Sequence, residues 1–182
     1  MHRDDDQELV SRCKNGDKTA FAELVLRYQR PIYNASVSVL RRTEDANDVV
    51  QIVFLKVWEK LDEYDSKYKL FSWIYRIALN ESLNLLRRNG REEPLEDETN
   101  IADNESANPE WQADEAQTSK KIQSTLMKMS TNDRIVLTLR HFSDFSYQEI
   151  ANILDIDEKT VKSRLFSARQ RLCDTLKELR VH

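Results

Sequence analysis

Lys159, Ser163, Phe166, Ser167 and Gln170 fall on one face of a helix if the segment turns at about 100° per residue. Lys162 and Arg169 flank that face on one edge, Arg164 and Arg171 on the other. Hydroxyl and amide groups between two rows of cations suit base-edge contacts set between phosphate contacts. Phe166 is the odd member, an aromatic on a face that solvent alone would keep polar, placed to meet a thymine methyl. The plain alternative is a charged, solvated helix whose Phe166 packs on a neighbouring element. No covalent chemistry is visible in this set.

Positioning such a face takes a second helix and a tight turn. Ser146-Tyr147-Gln148-Glu149 has the form of a capping box, in which serine and glutamate each satisfy one orphan amide. Ala151 and Ile153-Leu154 give that helix an inward side, Asp155-Ile156-Asp157 turns the chain, and Asp157 can cap the next helix. Val161, Leu165, Ala168, Leu172 and Leu176 then recur as one apolar stripe. Helix, short turn and helix in this order set a recognition helix into the major groove.

A second set lies upstream. Tyr64, Tyr68, Phe71, Trp73 and Tyr75 crowd residues 64–75, with Lys67 and Lys69 among them. The helix expected over Ser72–Arg88 is apolar around most of its circumference, with one polar stripe of Arg76, Asn80, Asn84 and Arg87. Aromatics beside arginine and asparagine fit capture of unstacked bases, where stacking contributes roughly 1–3 kcal/mol per base. The competing reading makes Trp73 and Tyr75 core residues of a small bundle, and for Trp73 that reading is favoured. Before this, the helix near Glu44–Leu61 turns Ala46, Val49, Val50, Val53, Phe54, Val57 and Leu61 inward. Its opposite arc mixes Asp45, Asp48, Gln51 and Glu59 with Ile52 and Leu55. Aliphatics among acids on an outer face suit a protein partner with an apolar centre and a basic rim. Cover by another helix of the same module is the alternative.

The chain has 182 residues and a net charge of −4, which looks wrong for a DNA binder until it is divided. Residues 1–90 carry 15 Lys/Arg against 14 Asp/Glu, residues 91–118 carry 1 against 10, and residues 119–182 carry 12 against 8. The acidity is therefore central and the helix-turn-helix end is basic. The expected architecture is all-α: a helical domain over 1–90, an acidic flexible linker over 91–107, and a helix-turn-helix domain over 108–182. Asn108-Pro109-Glu110 reads as a helix start, Trp111, Ile122, Leu126 and Met129 as an inward face, and Ser130–Asp133 as the start of a helix to about Phe142.

With only Gly16 and Gly90, no phosphate-cradling loop or nucleophile elbow can be built, so no catalytic residue and no cofactor is expected. Cys13 and Cys173 lie far apart, and with His2, His141 and His182 scattered no metal set is expected. Buried, inert thiols are the simpler reading of both cysteines. No apolar run reaches transmembrane length and the charged start MHRDDDQE is no signal peptide. A cytoplasmic protein without membrane insertion is the expectation.

Three stretches, DANDVVQIVFLKVWEKL (45–61), FSWIYRIALNESLNLLRR (71–88) and SYQEIANILDIDEKTVKSRLFSARQRL (146–172), together resemble the extracytoplasmic-function (ECF) sigma factors of the bacterial sigma-70 family. The resemblance covers nearly the whole chain. It implies a subunit of RNA polymerase that recognises −35 and −10 promoter elements and promotes transcription initiation. Asp45, Asp48 and Gln51 match the helix that docks on the clamp helices of the largest subunit, which brings Ile52 and Leu55 into that surface. The −10 loop maps to about Asp62–Leu70, and Lys67, Tyr68, Lys69, Trp73, Arg76, Asn80 and Asn84 form the candidate −10 set. Lys162, Ser163, Phe166 and Ser167 match −35-reading positions and Arg164 a phosphate contact, with Lys159, Arg169 and Gln170 completing the face. An anti-sigma factor is a further partner the family implies, and the acidic linker resembles a segment threading toward the RNA-exit path. The chain departs from the pattern at Ile52 (usually an acid), Asp155 (often glycine) and Ser167 (often basic). Two other classes compete: a stand-alone helix-turn-helix regulator with a sensing bundle, and a helical enzyme, for which no convergent ionisable cluster exists.

Overall fold

The computed structural model describes residues 3–90 and 122–178, and every regular element among them is helical. The first group comprises α1 (Arg3–Lys14), α2 (Lys18–Leu40), α3 (Thr43–Lys60), a single 3-10 turn at Leu61–Glu63, and α4 (Leu70–Arg88). The second comprises helical residues 122–128 (α5), then α6 (Thr131–His141), α7 (Tyr147–Leu154) and α8 (Glu158–Glu178). The acidic stretch 91–107, the helix start at Asn108-Pro109-Glu110 and Trp111 lie outside the described residues.

Local chemistry accounts for the helix ends. Asp17 caps α2, accepting from the amides of Thr19 at 2.9 Å and Ala20 at 3.2 Å. Arg41 ends it in the left-handed region at φ 61°, returning its amide to Val37 O. Pro31 sits inside α2 and cannot donate to the carbonyl of Arg27. No side chain caps α3, but Glu44 and Asp45 in its first turn suit the positive end of the helix dipole. α4 begins two residues before the expected Ser72, because Leu70 is already a core residue.

Packing follows the apolar stripes. Leu24, Tyr28 and Ile32 of α2 meet Ala46, Val49, Val53 and Val57 of α3 and Leu70, Ile74 and Ala78 of α4. Lys56 of α3 and Glu81 of α4 pair at 2.6 Å across the outside of that contact. α1 is held by Asp6, which receives the Tyr28 hydroxyl at 2.6 Å and Arg27 at 2.9 Å. In the second group Val161, Leu165 and Ala168 of α8 pack on α6 and α7, with Leu126 and Met129 also buried. The predicted stripe fades at Leu172 and Leu176, which are only partly covered.

Both groups emerge as the periodicity predicts, but they also touch directly. α2 packs on α6 and α4 on α7, and the buried residues of both groups form one continuous cluster. Phe145, before α7, stacks on Phe71 at 5.0 Å and meets Tyr75 edge-on at 5.3 Å. Helical periodicity reports which side of a helix is apolar, not which group covers it.

Candidate nucleic-acid interface

The turn between α7 and α8 decides how the outer face of α8 is presented. The capping box at Ser146 is complete: Glu149 N donates to Ser146 Oγ at 3.2 Å and Ser146 N to Glu149 Oε2 at 2.8 Å. Asp155 ends α7 at φ 55°, ψ 48°, a conformation aspartate tolerates better than most residues. Asp157 Oδ1 then accepts from Thr160 N at 2.7 Å and its Oδ2 from the Thr160 hydroxyl at 2.6 Å. These bonds hold the Asp157 carboxyl below the usual aspartate range, the hydroxyl contact contributing most.

With the inner side of α8 fixed, the outer face stands clear. Lys159, Lys162, Ser163, Arg164, Phe166 and Gln170 are exposed, Ser167 and Arg169 partly so. Phe166 is 73% exposed, so no element among the described residues covers it. The cations are not equivalent. Lys162 pairs with Glu158 at 2.7 Å and lies 5.7 Å from the Tyr147 ring centroid, whose ring also meets Arg140 at 5.4 Å. Arg169 Nε donates to His141 Nε2 at 3.2 Å, a bond that requires that nitrogen unprotonated. Burial, then Arg169 and Arg140, push the His141 pKa down in agreement. Gln170 donates to both oxygens of Asp174 at 3.1 Å. Arg171 makes two bonds to buried Asp133, at 2.6 and 2.5 Å, and so is a strut of the second group, not a free phosphate contact. Periodicity alone could not separate Arg164 from Arg171.

The aromatic segment divides similarly. Tyr64 is buried with its hydroxyl donating to Tyr68 O at 2.7 Å, and Tyr75 is buried in the core. Trp73 is half-buried, its ring 5.4 Å from that of Tyr64, in line with a packing role. Tyr68 is the aromatic presented outward, 53% exposed, between exposed Lys67 and Lys69. Lys69 reaches across to Glu149 Oε1 at 2.8 Å. Burial acts to raise the Glu149 carboxyl, but Lys69 and Ser146 outweigh it and leave it below the usual glutamate range. Arg76, Asn80, Asn84 and Arg87 all line the exposed edge of α4, and Arg87 donates to Asn84 Oδ1 at 2.8 Å.

On α3 the expected inward residues are covered, and Asp48, Gln51 and Leu55 are exposed, with Asp45 and Ile52 partly so. Leu55 is 65% exposed, so no helix among the described residues hides it. Exposed Leu26 and Trp58 add apolar surface on α2 and α3. The sequence reading missed Tyr147, Glu158 and His141, which steer the α8 cations. The i,i+4 spacing of Glu158 and Lys162 was the one readable signal. Cys13 is buried as expected, which pushes its thiol pKa up, but Cys173 is exposed, contrary to the expected buried thiol. Among the described residues there is no metal-ligand cluster, and no helix is long and apolar enough to cross a membrane.

Comparison with known proteins places both helical groups in a recognised frame. Residues 24–92 match the family described as Sigma-70 region 2, and residues 119–172 match Sigma-70, region 4. The RNA polymerase sigma-H factor of Pseudomonas aeruginosa is 33% identical, covering 98% of this chain and 97% of its own. The ECF RNA polymerase sigma-E factor of Escherichia coli K12 is 34% identical, covering 96% of this chain and 95% of its own. Among solved structures, CnrH in complex with the cytosolic domain of CnrY is similar at a TM-score of 0.71 and 26% identity, over 96% of this chain and 98% of that one. The sigma factor RpoE of Bartonella quintana, in complex with the anti-sigma factor NepR, is similar at 0.68 and 26% identity, over 86% and 96%.

Proposed function

The chain belongs to the sigma-70 family as an ECF sigma factor, and from that membership we propose how its helices divide the work of initiation. Residues 1–90 dock on core RNA polymerase and hold the −10 element, and residues 108–182 hold the −35 element. α8 lies in the major groove of duplex −35 DNA. Ser163, Phe166 and Ser167 meet base edges, while Lys159, Lys162, Arg164 and Arg169 meet phosphates, with Gln170 at the far end of the face. The observation that carries this is the outward Phe166-centred face standing directly opposite the buried Val161, Leu165 and Ala168.

Downstream, Tyr68 with Lys67 and Lys69, and the α4 edge of Arg76, Asn80 and Asn84, hold unstacked −10 bases. Trp73 backs them from its place against Tyr64. Binding energy spent on separated strands favours the melted promoter, which is how a subunit with no chemistry of its own promotes opening. Bond formation belongs to the polymerase, so the chain acts in the cytoplasm as a specificity factor and not as an enzyme. On α3, Asp45, Asp48, Gln51, Ile52 and Leu55 form the docking patch, apolar at its centre and acidic around it, for the clamp helices of the largest polymerase subunit. An anti-sigma protein is a second partner, supported by the partner-bound state of the similar RpoE structure.

Run-off transcription with purified core enzyme tests the assignment. Promoter-dependent transcripts are expected only with the chain added. A stand-alone regulator would instead bind an operator tightly without polymerase, and equal transcription from core enzyme alone would overturn the reading.

A further inference from the structure

One contact inside the second group ties a titratable ring to a candidate phosphate cation. Arg169 of α8 is partly exposed, and its Nε donates to His141 Nε2 at 3.2 Å. His141 is the last residue of α6. For Nε2 to accept, the ring must be neutral and carry its hydrogen on Nδ1. The bond uses only Nε of Arg169 and leaves its Nη pair to meet a phosphate.

Opposed influences act on the proton at Nε2. Partial burial disfavours it, followed by the guanidiniums of Arg169 on α8 and Arg140 on α6, and together they hold the ring below the usual histidine range. The C-terminal end of α6, negative by its free carbonyls, favours a cation at the same place. Arg140 donates to Phe145 O at 2.9 Å, pairs with exposed Asp144 at 3.6 Å and lies over the Tyr147 ring of α7. α7, whose Glu149 pairs with Lys69, and α2, whose end residue Arg41 bonds Met129 O, also pack on α6. Neither adds a charge that acts on the ring. The balance at His141 is therefore set by two cations, both on the side of the domain proposed to face DNA.

We infer that His141 is a positioning residue of the −35 interface that takes up a proton when DNA reaches Arg169, so that acidification tightens promoter binding. The inference rests on the reading above that Arg169 meets a phosphate. A phosphate beside Arg169 cancels the repulsion that disfavours imidazolium and leaves the attraction of the α6 end in place. The proton comes from solvent and adds to the Nε2 lone pair. The bond from Arg169 is then released, and both groups become donors beside the phosphate. At neutral pH the ring holds Arg169 in place; in acid it joins Arg169 as a second cation. Because the bound state holds the proton more tightly, affinity rises as pH falls through the bound-state pKa and levels off below that of the free chain.

His141→Gln separates this from a plain strut between α6 and α8, because the glutamine carbonyl can still accept from Arg169 but never gains a charge. The measurement is binding of wild-type and variant holoenzyme to one promoter fragment from about pH 7.5 to about pH 5.5, the range in which imidazole titrates. Taking the ratio of wild-type to variant affinity at each pH removes the titration of polymerase and of His2 and His182. The ratio should rise by about three- to tenfold toward the acid end. There the wild-type salt slope should exceed that of the variant by up to about 0.9, as for one added phosphate contact. A ratio flat across the range, or falling in acid, with promoter binding intact, would overturn the proton coupling alone. Holoenzymes that hold the fragment no better than core enzyme at any pH would refute the promoter reading, and the coupling would fall with it.

Discussion

Arg164 and Arg171 occupy the same edge of α8 in the sequence, and the structure predicts opposite consequences for removing them. Arg164 is exposed on the side of α8 proposed to face DNA, so Arg164→Ala should delete one phosphate contact. Each such contact contributes about 0.9 to the slope of log affinity against log salt, so the slope should become shallower by about 0.9. Between about 50 and 200 mM salt that is a factor of about 3.5 in the affinity that wild type loses and the variant keeps. Arg171 is bound to Asp133 through two hydrogen bonds, and Asp133 is only 11% exposed in its side chain. Arg171→Ala should therefore leave the slope alone and destabilise the second group, by about 1 kcal/mol, because Arg171 itself is largely solvated and water replaces part of its role. The assay is a salt titration of holoenzyme binding to a promoter fragment, paired with thermal unfolding of each free chain. A slope unchanged by Arg164→Ala, or flattened equally by Arg171→Ala, would refute the placement of α8 in the groove.

Other perturbations reach different parts of the chain. Ile52→Asp puts a charge at the apolar centre of the α3 patch and should abolish co-purification with core polymerase while circular dichroism reports unchanged helix content; retained co-purification would return Ile52 to a purely structural role. Asp155→Gly should raise stability by up to about 1 kcal/mol in thermal unfolding, since glycine adopts φ 55° without a Cβ clash. Asp17 has its carboxyl held far below the usual range by the Thr19 hydroxyl, then Arg12, then the Ala20 amide. A depressed folded-state pKa contributes stability that is fully present above the unfolded value near 3.9 and lost as pH falls through the folded one. Asp17→Asn keeps a capping oxygen without the charge, so its acid unfolding curve should be flatter below about pH 4 than that of wild type.

The helices were legible wherever periodicity and caps agreed. The Ser146–Glu149 box, the Asp155 turn and the Val161–Leu165–Ala168 stripe stand as their residue types require, because each depends on neighbours within a few positions. What resisted sequence reading depends on the meeting of distant segments. Arg134 reads as one more surface cation in a basic domain, and only the closing of α6 on α2 buries it. Phe71 and Tyr75 belong to an aromatic cluster that looks like a base-stacking platform, yet they face Phe145 some seventy residues away in the chain. Tyr68 keeps its exposure because no segment among the described residues returns to cover it. The partners of Arg171 and Arg169 were hidden for the same reason: Asp133 and His141 lie on α6, outside the periodicity of α8.

The Lys56–Glu81 pair, together with the apolar seam behind it, makes α3 and α4 a single stiff piece. Whatever seats on the outer side of α3 thereby fixes the bearing of Arg76 and Asn80, with no joint between them to absorb slack. On the proposed docking, the first transcribed nucleotide is then measured off from the enzyme's own body across this one helix pair. Cutting that tie would blur where messages begin before it altered how many are made.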